Sequence, residues 1–416
     1  MSEWQTFCLK DLGKIVGGAT PPTNNPKNYG NKIAWITPKD LSTLQGRYIK
    51  KGSRSISRLG FKSCSCVLLP KHAILFSSRA PIGYVAIAKK RLCTNQDFKS
   101  IIPNKKIYFE FLYYLLKYYK NNFINMGEGT TIKGIYNIAL GLFKVKIPPT
   151  YYEQQKIART LSILDQKIEN NHKINELLHK ILELLYEQYF VRFDFLDENN
   201  KPYQTSGGKM KFSKELNRLI PNDFEVKTLG DNPLCNTIKT GVTPFKQKVY
   251  YETKHIQETL SLNQGLKVSY NKRPNRANMQ PTIYSVWFAK MKDTKKHLFL
   301  NQRMQSWIKE SILSTGFCGL QCQKHTFEYI ASTIKYSPFE TRKNNLATGA
   351  TQKAINIEML DYIFILIPNK ELLDNYSKIT KPLYEKISNN IIETQTLTAL
   401  RDFLLPLLLT QQVKPE

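Results

Sequence analysis

A run of more than forty residues without glycine or proline, Glu153 to Phe195 (EQQKIARTLSILDQKIENNHKINELLHKILELLYEQYFVRFDF), constrains this chain more than any other stretch. Pro148-Pro149 bounds it upstream, so it reads as one long helix. Its apolar seam steps by four and three through Ile157, Leu161, Leu164, Ile168, Asn171, Asn175, Leu178, Leu182, Leu185 and Tyr189, a coiled-coil stripe with a polar centre. The spacing returns at Leu383, Ile387, Asn390, Thr394, Leu397, Arg401, Leu404 and Leu408, where Leu383 stands 219 residues after Leu164 and Leu408 stands 219 after Tyr189. The text repeats as well, LDQKIENN at 164–171 against LYEKISNN at 383–390, so the chain is an internal duplication with two long helices.

The remaining segments fall around those helices. Residues 1–149 read as a mixed domain with short strands at Ile33–Thr37, Cys66–Leu69, Ala73–Phe76 and Tyr84–Ile87 and one helix, Ile107–Lys120, whose aromatic stripe is read as core. Residues 150–196 are the first long helix, 197–222 a polar linker with little structure, 223–368 a second mixed domain and 369–416 the second long helix. The domain edges correspond: Gly18-Ala-Thr20-Pro21 answers Gly241-Val-Thr243-Pro244, and Gly129-Thr-Thr-Ile-Lys133 answers Gly349-Ala-Thr-Gln-Lys353. The middles do not align. His172 and His179, on the first helix, are expected to face solvent.

Charge narrows the partner. The 416 residues carry 61 Lys plus Arg against 33 Asp plus Glu, a formal +28, and are 41% hydrophobic, enough for more than one core. Such a surplus points to a polyanion, nucleic acid first. A composition rich in Lys, Asn, Tyr and Ile would explain Lys over Arg, but not the shortage of acids. No run of about 18 apolar residues occurs, and MSEWQTFCLKDLG lacks an apolar signal region, so a cytoplasmic protein with no membrane partner is expected. Seven cysteines at irregular spacing read as small buried hydrophobes. Cys64-x-Cys66 and Cys318-x3-Cys322-x2-His325 lack a second pair at zinc spacing, so no metal is expected.

The basic segments carry no complete catalytic motif. Pro221-Asn-Asp223-Phe-Glu225-Val-Lys227 echoes a PD-ExK nuclease site, yet its Asp and Glu are too close in sequence to face each other from separate strands. No Gly-rich cofactor loop opens a helix, no Asn/Asp-Pro-Pro-aromatic methyltransferase motif occurs, and no GxxxxGK[ST] is present. A non-catalytic chain is expected. The alternatives are a general DNA-binding or scaffold protein, and a modification or restriction polypeptide with its own activity.

Nearly end to end, the chain resembles the specificity subunit of bacterial type I restriction-modification systems. AWITPKDLS (34–42), SSRAPIGYVAIA (77–88) and TNQDFKSI (94–101) resemble its recognition-domain motifs; FAKMK (288–292) and LSTGF (313–317) resemble a different recognition subgroup. KPYQTSGGKM and IPNDFEVKTLGD resemble the junction between halves. The chain departs from the pattern at Asp97, where the family often has Gly, at Arg401, where the first seam has Leu182, and at Pro406, expected to interrupt the last turns of the second helix.

The resemblance implies an α+β fold: two mixed α/β target-recognition domains separated by two long antiparallel helices forming a coiled coil, a pseudo-twofold internal duplication. It implies an asymmetric, bipartite double-stranded DNA target, two methylation subunits docked on exposed helix faces, and two nuclease-translocase restriction subunits. S-adenosylmethionine belongs on the methylation subunit and no cofactor on this chain. Expected DNA contacts are Lys39, Arg47, Lys50, Arg54, Arg58, Arg79 and Lys133 in the first domain and Lys246, Lys272, Arg273, Arg276, Lys290, Lys292 and Lys353 in the second. Thr130 and Thr351 join them on the repeated loop, which either approaches phosphate through its backbone or simply starts the last strand before each helix. Asn171 and Asn390, equivalent by the offset, are expected to face each other and fix the helical register.

Overall fold

The computed structural model describes residues 3–129, 133–257, 261–262 and 265–414. Two compact units share the chain, Met1–Glu169 with Thr396–Glu416, and Asn170–Gln395; the division falls inside both long helices. These are Tyr151–Tyr186, continued by a π-helical stretch at Glu187–Val191, and Lys370–Leu409.

In the first unit a five-stranded sheet runs in the order Gly13–Gly17, Lys99–Pro103, Ile74–Phe76, Val85–Ala88, Tyr48–Ile49. Successive side chains of a strand point to opposite faces, and the central strand divides accordingly. Ile74 and Phe76 join a cluster with Phe111, Leu112 and Leu116 of helix Phe109–Tyr118 and with Ile157, Leu161 and Leu408 of the long helices. Leu75 joins Val16, Ala86 and Ala88 in a cluster of its own. A three-stranded sheet, Arg54–Ile56, Tyr29–Ile36, Cys93–Thr94, lies alongside. The ribbon of Gln5–Cys8 with Lys144–Ile147 leads into the first long helix. The segment 66–69, expected as a strand, contributes only an isolated bridge from Leu69 to Leu92.

The second unit repeats this plan more closely than its sequence does. Its sheet order, Cys235–Thr237, Phe317–Cys322, Ser285–Ala289, His297–Leu300, matches the first four strands of the first unit. The registers correspond: Ile74 faces Ile87 and Ile101, whereas Val286 faces Phe299 and Leu320. The ribbon recurs in identical register, Gln5 opposite Ile147 and Glu225 opposite Ile367. So the middles that do not align in sequence share strand order. The second sheet recurs as well, since Leu266–Val268, Lys248–Tyr251, Ser311–Ser314 repeat the order and pairing senses of Arg54–Ile56, Tyr29–Ile36, Cys93–Thr94; the second unit adds the edge strand Ala277–Met279. Residues 197–222, expected to have little structure, include a hairpin of Met210–Ser213 with Arg218–Pro221.

Within the second unit the helices run antiparallel, since Asn171 reaches Thr394 while Asn175 reaches Asn390. Asn171 therefore does not face Asn390, contrary to the expectation from the offset; each bonds to the residue one turn beyond. Below them Leu182 joins Tyr384 and Ile387 in an apolar cluster. In the first unit Arg401, the counterpart of Leu182, is neutralised by Asp165 at 2.8 Å, and Asp165 is the counterpart of Tyr384. An ion pair thus replaces an apolar pair at one end of a repeated seam.

Pro406 does not interrupt the second helix, which runs to Leu409. Leu404, Leu405, Leu408 and Leu409 all pack on the core of the first unit, and burial of that face offsets a proline cost of about 3 kcal/mol. His179, expected in solvent, is buried beside Phe299 at 6.5 Å, and His172 is half-buried, because this flank of the helix lies against the second unit's core.

Candidate nucleic-acid interface

The repeated loop occupies the same place in both units. Gly134 bridges to Glu128 and to Arg79, and Ala354 bridges to Thr348 and to Met291. The Ile135 N–H donates to the Ser78 carbonyl, and the Ile355 N–H donates to the Lys290 carbonyl, at 2.9 and 3.1 Å. In each unit the loop is therefore stitched to the segment that follows the central strand of the main sheet, so a sequence motif with no intrinsic preference becomes a fixed edge.

At this edge in the first unit, exposed Lys133 lies beside Arg79, whose Nε donates to Asp97 and whose side chain is 41% exposed. Asp97 also accepts from Asn95 Nδ2 at 2.6 Å, and its backbone carbonyl accepts from Ser78 N at 2.8 Å. Gly18 lies directly on this turn: a Cβ there would stand 2.0 Å from the Asn95 carbonyl, so only glycine lets the segment approach. The approach carries Thr20 to Gln96, to which its hydroxyl donates. Thr20 and exposed Gln96 are thus added to the interface. The repeated Gly-x-Thr-Pro could have pointed to Thr20, although its glycine serves a close approach at Gly18 and a positive φ, with open space around it, at Gly241; nothing in the sequence points to Gln96.

The other expected cations of this unit lie on and around the neighbouring three-stranded sheet: Arg54 on its edge strand, Lys39 on helix Pro38–Ser42, Lys50 just after strand Tyr48–Ile49 and Arg58 at the start of helix Arg58–Lys62. Lys39, Lys50, Arg54 and Arg58 are exposed. Asp40 fixes the turn between them by accepting from the Thr37 and Ser53 N–H groups at 2.8 and 2.7 Å. Burial alone would raise its pKa, but those backbone donors bring it below the ordinary carboxylate value. Arg47 is a correction. Expected on a phosphate-following loop, it is 3% exposed and held by Glu110 at 3.0 Å and Glu169 at 3.2 Å, so its guanidinium fastens the domain to its helices. Thr130 lies outside the described residues.

The second unit gathers its cations more tightly. The Lys292 N–H donates to the Lys353 carbonyl, Lys290 N–H to the Gly316 carbonyl and Thr315 N–H to the Arg276 carbonyl. Lys290, Lys292, Lys353 and Arg276 are brought together, with Thr351 exposed on the same loop. A wide cavity of about 660 Å³ opens beside them, lined by Lys254, Lys295, Lys296, Asp293 and Asn344. Beneath it lies buried Lys343, whose Nζ donates to the Ala289 and Thr294 carbonyls at 3.1 and 3.0 Å and pairs with Glu340 at 2.7 Å. Asn344 exchanges two hydrogen bonds with Asp293. A basic loop is thus held rigid by a buried cation. Lys246 and Lys272 are exposed on other segments. Arg273 is half-buried: it lies 4.1 Å over the Tyr270 ring and donates to the Tyr270 and Ala277 carbonyls, shaping its own loop.

Among the described residues no group of three His, Cys, Asp or Glu could hold a metal, and no helix is long and apolar enough to cross a membrane.

Comparison with known proteins gives four likenesses. Residues 1–180 match the family described as Type I restriction modification DNA specificity domain. The chain is 32% identical over 434 residues to the Type I restriction enzyme MjaIX specificity subunit of Methanocaldococcus jannaschii, covering 100% of this chain and 94% of that one. It is 33% identical over 114 residues, 27% of this chain and 24% of the relative, to the HindI specificity subunit of Haemophilus influenzae. In fold it is similar to the crystal structure of a type I restriction-modification S subunit from M. genitalium, with a TM-score of 0.55 at 17% identity over 98% of this chain and 96% of that one.

Proposed function

Since this chain belongs to the specificity subunits of type I restriction enzymes, we propose that it reads an asymmetric, bipartite DNA target and brings methylation and restriction subunits to it. The observation that carries this reading is the repeated edge: one place in one fold presents Arg79 and Lys133 in the first unit, and Lys290, Lys292 and Lys353 in the second. One scaffold with two different cationic edges suits two different half-targets.

Exposed lysines supply phosphate contacts and hence affinity. Arg79 and Gln96, with the forked donors and amide groups that match base edges, supply discrimination. The two long helices, each roughly 55–60 Å by residue count, serve as the ruler that fixes the spacer. Two methylation subunits carry S-adenosylmethionine, two restriction subunits complete the complex, and this chain contributes recognition without chemistry, in the cytoplasm.

The test is methylation-sensitive sequencing of DNA from cells making this chain with its cognate methylation subunit, against cells with that subunit alone. A new bipartite motif with a constant spacer and a methylated adenine in each part is expected. A soluble complex that produces no new motif would sink the reading.

A further inference from the structure

One pocket of the first unit has a filled counterpart in the second, and the duplication identifies what fills it. In the second unit Phe224, just ahead of the ribbon strand Glu225–Thr228, is fully buried. Phe193 meets it edge-on at 5.8 Å and Phe195 stacks on it at 6.0 Å, the two aromatics of a Phe-Asp-Phe segment that follows the first long helix. Tyr189 lies against Phe195 and against Tyr376 of the second helix.

In the first unit the identical ribbon register makes Trp4 the counterpart of Phe224, and the helix offset of 219 makes Leu408 and Ile157 the counterparts of Tyr189 and Tyr376. These three residues line a cavity of about 410 Å³ together with Pro148, Tyr152 and Val413. The walls are repeated, but the plug is not. At the positions of Phe193 and Phe195 the chain carries Gln412 and Lys414, both exposed.

We infer that this cavity is a docking site for an aromatic-x-aromatic segment of a partner polypeptide, seated as Phe193-Asp194-Phe195 is in the second unit. Its volume is in the range of sites that enclose a compact ligand. Lys156 and Lys414 outnumber Glu153 at its rim, which favours an acidic residue beside the aromatics, as Asp194 is beside Phe193. A second copy of this chain has no such segment to offer. Its aromatic-acidic-aromatic triplets, at 109–111, 193–195 and 327–329, are all built into cores.

The test is calorimetric titration of the full chain with a blocked peptide VRFDFL, the text of residues 191–196, against VRADAL. A variant carrying Gln412→Phe and Lys414→Phe, two exposed positions, supplies the plug within the chain. Saturable binding of VRFDFL is expected, at least tenfold weaker for VRADAL and at least tenfold weaker in the plugged variant, whose thermal midpoint should rise. Equal binding of both peptides, or unchanged binding in the plugged variant, would overturn the inference. So would self-association of the native chain that the plug abolishes, because that assigns the pocket to a second copy. DNA recognition is measured separately, so failure here leaves the reading of the basic edges standing.

Discussion

Asn390 Nδ2 donates to Asn175 Oδ1 at 2.8 Å, and both side chains are buried between the two long helices. One turn away Asn171 Nδ2 donates to Glu393 at 2.8 Å and reaches Thr394 Oγ1 at 3.4 Å. By the 219-residue offset Asn390 is the copy of Asn171, and Thr394 the copy of Asn175. The two contacts are therefore one contact, repeated when the helices exchange roles. A polar pair in an apolar seam specifies register at some cost in stability.

Asn175→Leu should destabilise the second unit by about 1–3 kcal/mol, the usual cost of a buried amide left without its partner. Asn175→Leu with Asn390→Leu should recover most of that loss, because two leucines pack where two amides bonded. A double-mutant cycle by urea unfolding measures it. Additive effects, with coupling under about 0.5 kcal/mol, would show that the pair does not set the register.

Arg47→Met should cost about 3–5 kcal/mol, since Glu110 and Glu169 would be left as uncompensated carboxylates in a dry site. Arg54→Ala and Arg58→Ala, at exposed positions, should leave stability unchanged while each lowers the salt slope of DNA binding by about one. Chemical denaturation and affinity measured across a salt series separate these outcomes. A reduced slope in a folded Arg47 variant would return that residue to the DNA.

Arg47 also shows where sequence stops being informative. Its spacing among lysines, arginines, serines and glycines is that of an exposed cationic loop, and its two carboxylate partners lie 63 and 122 residues away. Nothing local distinguishes it from Arg54. The long helices were legible because a seam of four and three repeats over many turns, and the repeated loops because glycine positions recur. The facing partners in the seam were not, because a duplication reveals which residues are copies, whereas antiparallel packing decides which residues meet. The shared sheet order of the two middles was invisible for a similar reason: Phe76 and Phe288 keep the same pairing geometry within otherwise unrelated text.

Stability of the second unit should fall as pH drops below the ordinary histidine value near 6.5. Burial holds His297 neutral and lowers its pKa, against the pull of Glu340 at 3.0 Å. A group whose folded pKa is depressed contributes stability that is present above its unfolded pKa and is lost as pH falls towards the folded one. His297→Gln, which keeps a donor for Glu340 and removes the titration, should flatten the curve between pH 7 and the folded value. Thermal midpoints of the native chain and the variant across that range check it, and parallel curves would assign the acid loss to other groups.

The last prediction separates the two edges. Lys343 is buried, yet it holds the Ala289 and Thr294 carbonyls on either side of Lys290 and Lys292. Loss of that hold should damage only the half-target read by the second unit. In methylation-sensitive sequencing, Lys343→Met and the exposed pair Lys292→Ala with Lys353→Ala should relax or erase one part of the motif, and Arg79→Ala the other, with spacer length unchanged in every case. Each well-placed base contact removed should cost about 1–3 kcal/mol of discrimination at its own position. If any of these variants degrades both parts equally while remaining folded, the edges do not act as independent readers, and the division of the target between the two units is wrong.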